Sequence, residues 1–136
     1  MEFSFKMKVN ASKEKIWQYY ADIQKWYTWE GDLEDISLNG NFEKGSTGTM
    51  KLADMPPMEF TLTDVAENEC FCDRTPTPIG DVYFNHRIIE EIDGVYIQHS
   101  VGLDTAEINT EKLTFLKQIF SDVPDSIMAL KMEVEK

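Results

Sequence analysis

The stretch that decides the fold is Tyr83–Val101, "YFNHRIIEEIDGVYIQHSV". Two runs of alternating apolar and polar residues flank Asp93-Gly94, a pair that tolerates the positive φ of a two-residue type I′ turn, so the segment predicts a long antiparallel hairpin. A register taken from that turn pairs Ile92 with Val95, sets Ile88 opposite His99 and His86 opposite Val101, and makes the two histidines diagonal neighbours. Alternation sends Val82, Phe84, His86, Ile88, Val95, Ile97, His99, Val101 and Leu103 to the inward face. Tyr83, Asn85, Arg87, Tyr96, Gln98 and Ser100 then point away. His86 and His99 are the only 2 histidines of the chain.

Upstream of the hairpin, "LEDISL" (33–38), "TGTMKLA" (47–53), "MEFTLTDVA" (58–66) and "ECFCDRT" (69–75) are short alternating runs separated by turn residues. They read as successive antiparallel strands. "FSFKMKV" (3–9) puts Phe3, Phe5, Met7 and Val9 on one side of another strand. Ser12 is suited to cap a helix through "KEKIWQYYA" (13–21), whose Ile16, Trp17, Tyr20 and Ala21 recur at helical spacing. Asp22 opens a shorter, aromatic turn of helix, "DIQKWYTW" (22–29), that stops before Gly31.

Downstream of Leu103 the period changes again. "NTEKLTFLKQIF" (109–120) presents Leu113, Leu116, Ile119 and Phe120 as a helical stripe, and Pro124 fits the first turn of a further helix bearing Val123, Ile127, Leu130 and Val134. Strand, two helices, six strands and a terminal helix predict an α+β domain in which an antiparallel sheet of about seven strands wraps a long C-terminal helix. With 136 residues and no repeat or linker, a single domain over residues 1–136 is expected.

Composition excludes several classes of function. A net charge of −12 repels nucleic-acid phosphates and anionic lipid headgroups, so neither nucleic acid nor stable membrane insertion is expected. No apolar run approaches the roughly 18 residues of a membrane span, and "MEFSFKMKVN" lacks the form of a secretory signal, which together predict a cytoplasmic protein. The 2 cysteines, Cys70 and Cys72, share one side of a strand and are badly spaced for a disulfide.

The stretch Val9–Met50, "VNASKEKIWQYYADIQKWYTWEGDLEDISLNGNFEKGSTGTM", resembles the opening of the polyketide cyclase/dehydrase and lipid-transport superfamily, also called SRPBCC or START-like. The order of elements, the aromatic second helix, the glycine-punctuated first hairpin, the long penultimate strands and the final "VPDSIMALKMEVEK" are similar to that superfamily's helix-grip fold, shared with the birch-pollen allergen. The resemblance implies a curved sheet gripping the C-terminal helix around an internal cavity for an apolar or amphipathic molecule. Members include cyclases and dehydratases, lipid and hormone carriers, and chaperone-activating domains, so fold alone does not select an activity.

A ligand-binding cavity is accordingly expected to be lined by Trp26, Trp29, Met50, Leu52, Phe84, His86, Ile88, Ile97 and His99. His86 and His99 are the candidate acid/base residues if the domain is an enzyme, and polar anchors if it is a binder, because imidazole titrates near neutral pH. The alternative is a pair of core histidines satisfied by protein groups or water. Cys70 and Cys72, if beside the histidines, would offer a mixed metal site, but C-x-C is not a usual zinc spacing, and neither metal nor cofactor is expected. "DMPPM" (54–58) is either a flexible lip or a proline-stiffened loop, "NGNFEKGSTG" (39–48) is a hairpin rather than a phosphate loop, and no serine sits in a nucleophile elbow. Three functions stay open: binding of a lipid-, polyketide- or aromatic-like molecule, cyclase or dehydratase chemistry, and a protein-interaction module.

Overall fold

A computed structural model describes residues 1–136. The chain runs β1 (Glu2–Val9), α1 (Lys13–Ala21), a 3₁₀ helix (Ile23–Thr28), β2 (Leu33–Asn39), β3 (Thr47–Leu52), β4 (Met58–Ala66), β5 (Cys70–Thr77), β6 (Gly80–Glu91), β7 (Gly94–Asp104), α2 (Thr110–Phe120) and α3 (Val123–Val134). All 7 strands form one antiparallel sheet in the order β1-β7-β6-β5-β4-β3-β2. The first strand thus closes on the last, and both helical segments are left to cover one face. No helix is long and apolar enough to cross a membrane.

Helix starts follow the capping chemistry. Ser12 Oγ accepts from the Lys15 amide at 3.2 Å, Asp22 Oδ1 from Gln24 at 3.0 Å and Asn109 Oδ1 from Lys112 at 2.9 Å. The short aromatic segment after Asp22 is a 3₁₀ helix rather than α, and it ends at Trp29. The terminal helix is interrupted between Phe120 and Val123, with Pro124 in the first turn of the second piece. Val123, Ile127, Leu130 and Val134 face inward as their spacing predicts.

The hairpin register differs from the expected one by two residues. Glu91 pairs with Gly94, Ile88 with Ile97 and Phe84 with Val101, so His86 lies directly opposite His99 rather than diagonal to it. The apex residues are Ile92 and Asp93, and only Gly94 takes a positive φ, +146°. A β-branched Ile92 is unfit for a type I′ turn, whereas a turn followed by a positive-φ glycine suits this sequence. Slipping by two residues keeps every side chain on its predicted face, so the inward set survives the correction.

Apolar packing splits into two clusters. The larger joins Ile16, Trp17, Tyr20, Trp26 and Trp29 to Phe60, Leu62, Phe71, Ile88 and Ile97 on the sheet and to the buried stripe of α3. The smaller is built from Val82, Val101, Leu103 and Leu116, with Phe3, Phe84 and Phe115 packed on it, and belongs to the α2 end. Phe120 touches both.

Gly48 is where the curved sheet has no room for a side chain: a Cβ there meets the Phe60 ring and the Ser37 carbonyl oxygen, each at 2.4 Å. Gly48→Ala is expected to destabilise the fold by about 1–3 kcal/mol, the usual cost of overpacking, seen as a thermal midpoint lowered by several degrees.

Candidate functional site

Tyr20 projects from α1 onto the concave face of the sheet, where its hydroxyl shares a hydrogen bond of 2.8 Å with His99 Nε2. His86 Nδ1 donates to the Phe71 carbonyl at 3.4 Å, which assigns its proton to Nδ1, since a carbonyl only accepts. The His86 ring stacks on Phe71 with centroids 4.0 Å apart and meets His99 edge-on at 4.7 Å. Trp29 packs against both imidazoles, at 5.9 and 5.7 Å. Both histidines are buried, and burial pulls His86 down to about 3 and His99 well below its ordinary range. Tyr20 is pushed up by the same desolvation, so the trio is uncharged at neutral pH.

Trp26 and Trp29 occupy the centre of the core, not the rim of a cavity. They are 3% and 1% exposed, and their indole N–H groups donate to the Tyr20 and Tyr19 carbonyls at 2.8 and 3.1 Å. The 3₁₀ geometry turns both rings to the same side, and Trp26 stacks on Phe71 at 5.4 Å. Ile88 and Ile97 join this packing, Met50 and Leu52 lie partly buried against it, and Phe84 belongs to the smaller cluster instead. Cys70 and Cys72 flank Phe71 in β5 and therefore point to the opposite side of the sheet from the histidines. No three His, Cys, Asp or Glu side chains converge closely enough to hold a metal ion.

The same alternation turns two further polar side chains inward, Asp73 and Thr75. In β5, Phe71, Asp73 and Thr75 share the inward face; Asp73 lies beside Phe84 and Leu62 in the neighbouring strands, and Thr75 beside Val82. Phe84 and Val82 belong to the smaller cluster and Leu62 to the larger, so the two polar side chains sit on the seam between them. Asp73 is 3% exposed and Thr75 6% exposed, and Asp73 Oδ1 and Thr75 Oγ1 have no hydrogen-bond partner. Such orphaned atoms are rare in folded proteins because each costs about 1–3 kcal/mol.

Burial, with the nearby charge of Glu30 adding to it, pushes Asp73 up to about 8. Glu30 follows the 3₁₀ helix and is itself raised to about 7 by desolvation, helped by Asp122 before α3 and by Asp32. The signal in "FCDRT" is an aspartate two residues from an inward phenylalanine, which puts both on the covered face of the strand.

Comparison with solved structures supports the architecture over nearly the whole chain. The Aha1 dimer from Colwellia psychrerythraea superposes with a TM-score of 0.71 at 14% identity, covering 99% of this chain and 96% of that one. Ara h 8.0201 gives 0.74 at 12% identity over 98% and 97% of the two chains. DynU16, a putative protein in the dynemicin biosynthetic locus, gives 0.75 at 10% identity, covering 99% of this chain and 47% of its own. No protein-family model and no curated protein matches the sequence. The chain has the helix-grip fold that its order of elements implied.

Two outcomes follow for stability. Tyr20→Phe leaves His99 Nε2 without its partner and is expected to cost about 1–3 kcal/mol in denaturant melts. Below about pH 7 the unfolded chain takes up protons that the buried histidines refuse, a contribution that lowers stability as pH falls; between about 4 and 8 the unfolded chain ionises Asp73, which the fold keeps protonated, an opposing contribution that lowers stability as pH rises. From about 7 to 8 the carboxyl contribution dominates, because the unfolded histidines have by then lost most of their protons. The thermal midpoint is expected to drop across that window, and Asp73→Asn to flatten the drop and gain at least about 1 kcal/mol at pH 8.

Proposed function

We propose that this protein binds an amphipathic small molecule, lipid-, polyketide- or aromatic-like over most of its length, at the seam between the two apolar clusters. The observation that carries this reading is the pair of buried, unpartnered oxygens on Asp73 and Thr75, set in an otherwise apolar floor. A core that served stability alone would place apolar residues there; polar groups held ready for a partner cost folding energy and return it on binding. Phe84, with Met50 and Leu52 further along the floor, supplies apolar contact. Trp26, Trp29, Ile88, Ile97 and the histidines form the packed wall behind it.

A cyclase or dehydratase role for His86 or His99 has less in its favour. Both imidazoles already have protein partners, and burial opposes the charged state that general acid catalysis requires.

The test compares native and denatured masses of gently purified protein, wild type and Thr75→Val. The wild type is expected to carry an organic adduct lost on denaturation. Thr75→Val is expected to lose it while gaining about 1 kcal/mol in stability, because the orphaned hydroxyl is gone. An empty wild-type protein that also ignores a panel of amphipathic probes would overturn the reading.

A further inference from the structure

The carboxylates around the seam have no cations. Every lysine and arginine ion pair is made elsewhere: Lys6 with Glu91, Lys8 with Asp93, Lys13 with Glu90, Lys51 with Glu34, Arg74 with Asp81 and Asp104, Lys131 with Glu135, and Lys136 with Glu133. Glu30, Asp32, Asp73 and Asp122, contributed by the segment after the 3₁₀ helix, by β5 and by the joint before α3, appear in none of them. Arg74, next in sequence to Asp73, turns to the other side of the sheet and spans 2.8 Å to Asp104. The groups facing Asp73 are therefore Glu30, with Asp32 and Asp122 behind it, the apolar Leu62 and Phe84 beside it, and the neutral His86 further along the same face.

A bare metal ion does not fit, because no three of these carboxylates converge on one point. An organic cation needs no such convergence: its N–H groups can donate to the unpartnered Asp73 Oδ1 and Thr75 Oγ1, and its positive charge answers carboxyl groups that no lysine or arginine pairs. We infer that the seam selects a cationic amphiphile, an organic amine whose ammonium group lies between Asp73 and Thr75 and faces Glu30, with its apolar part along Phe84 and the cluster boundary. This inference rests on the small-molecule binding reading and adds the sign of the ligand's charge. Because Asp73 is protonated in the free protein near neutral pH, taking up an ammonium displaces that proton, and amine affinity rises from about pH 6 to 8.

Titration calorimetry with decylamine, 1-decanol and decanoate, matched in chain length and kept below their aggregation limits, separates the possibilities. At pH 8 the wild type is expected to bind the amine at least about tenfold more tightly than the alcohol, with decanoate weakest, and to release a proton that shows as a buffer-dependent heat at pH 7. Asp73→Asn, nearly isosteric, is expected to keep the alcohol and bring the two affinities within about threefold, while the exposed control Glu67→Gln changes nothing. Alcohol or decanoate binding as tightly as the amine would overturn the charge assignment and leave the binding reading standing. Binding of none of the three would overturn the binding reading beneath it. An amine preference that persists in Asp73→Asn would trace to overall acidity and remove Asp73 from the site.

Discussion

The hydrogen bond between Tyr20 and His99 is the contact on which the rest of the interior depends. It is the point at which α1 is tied to β7, 79 residues away in sequence, and it sits inside a nest of rings from Trp29, Phe71 and His86. Low dielectric strengthens a satisfied polar contact and penalises a broken one, so the link sets the height of α1 over the sheet with little tolerance. Once that height is set, the 3₁₀ helix carries Trp26 and Trp29 into the same layer, and their indole N–H groups close on the backbone of α1. The result is a dense aromatic half of the core, held in a single arrangement by directional contacts rather than by area alone.

That density at one end leaves the other end to different chemistry. The α2 side has fewer buried residues and is joined to the aromatic half through Phe120, with β5 running beneath the junction. Asp73 and Thr75 lie on this strand where two apolar clusters meet, and their orphaned oxygens mark a place where the fold gives up stability. Histidines and carboxyls then pull the pH dependence in opposite directions: the imidazoles favour the fold at higher pH, the raised carboxyls at lower pH. The packed histidines are explained by the architecture, whereas the carboxyl at the seam is not.

Charge follows the same division. The acidic excess of the chain is largely a property of its surface, where lysines and Arg74 pair with exposed partners in contacts of small energetic weight. Around the seam the carboxyls have no lysine or arginine partner, and desolvation raises Asp73 and Glu30 so that protons take the place of cations. Net charge alone argues only about solubility and about partners to be excluded; its placement against a buried, unpartnered carboxyl argues about what is admitted.

Local patterns determined a great deal. Alternation in "DVYFNHRIIEEI" and "VYIQHSVGL" assigned faces correctly even though the turn register was off by two, because parity depends only on the pleat and a two-residue slip preserves it. Capping residues Ser12 and Asp22 stand at the helix starts, and the stripe from Val123 to Val134 is buried as its spacing required. What only the tertiary structure decided was which inward residues find partners. His86 and His99 looked like the site because imidazole is chemically conspicuous, yet Tyr20 and the Phe71 carbonyl, distant in sequence, satisfy one nitrogen of each. Asp73 drew no reading in "CFCDRT", and it is buried with Oδ1 unpartnered. Facing direction is a local property of the strand, whereas satisfaction of a polar atom depends on what the remainder of the chain brings within about 3 Å of it.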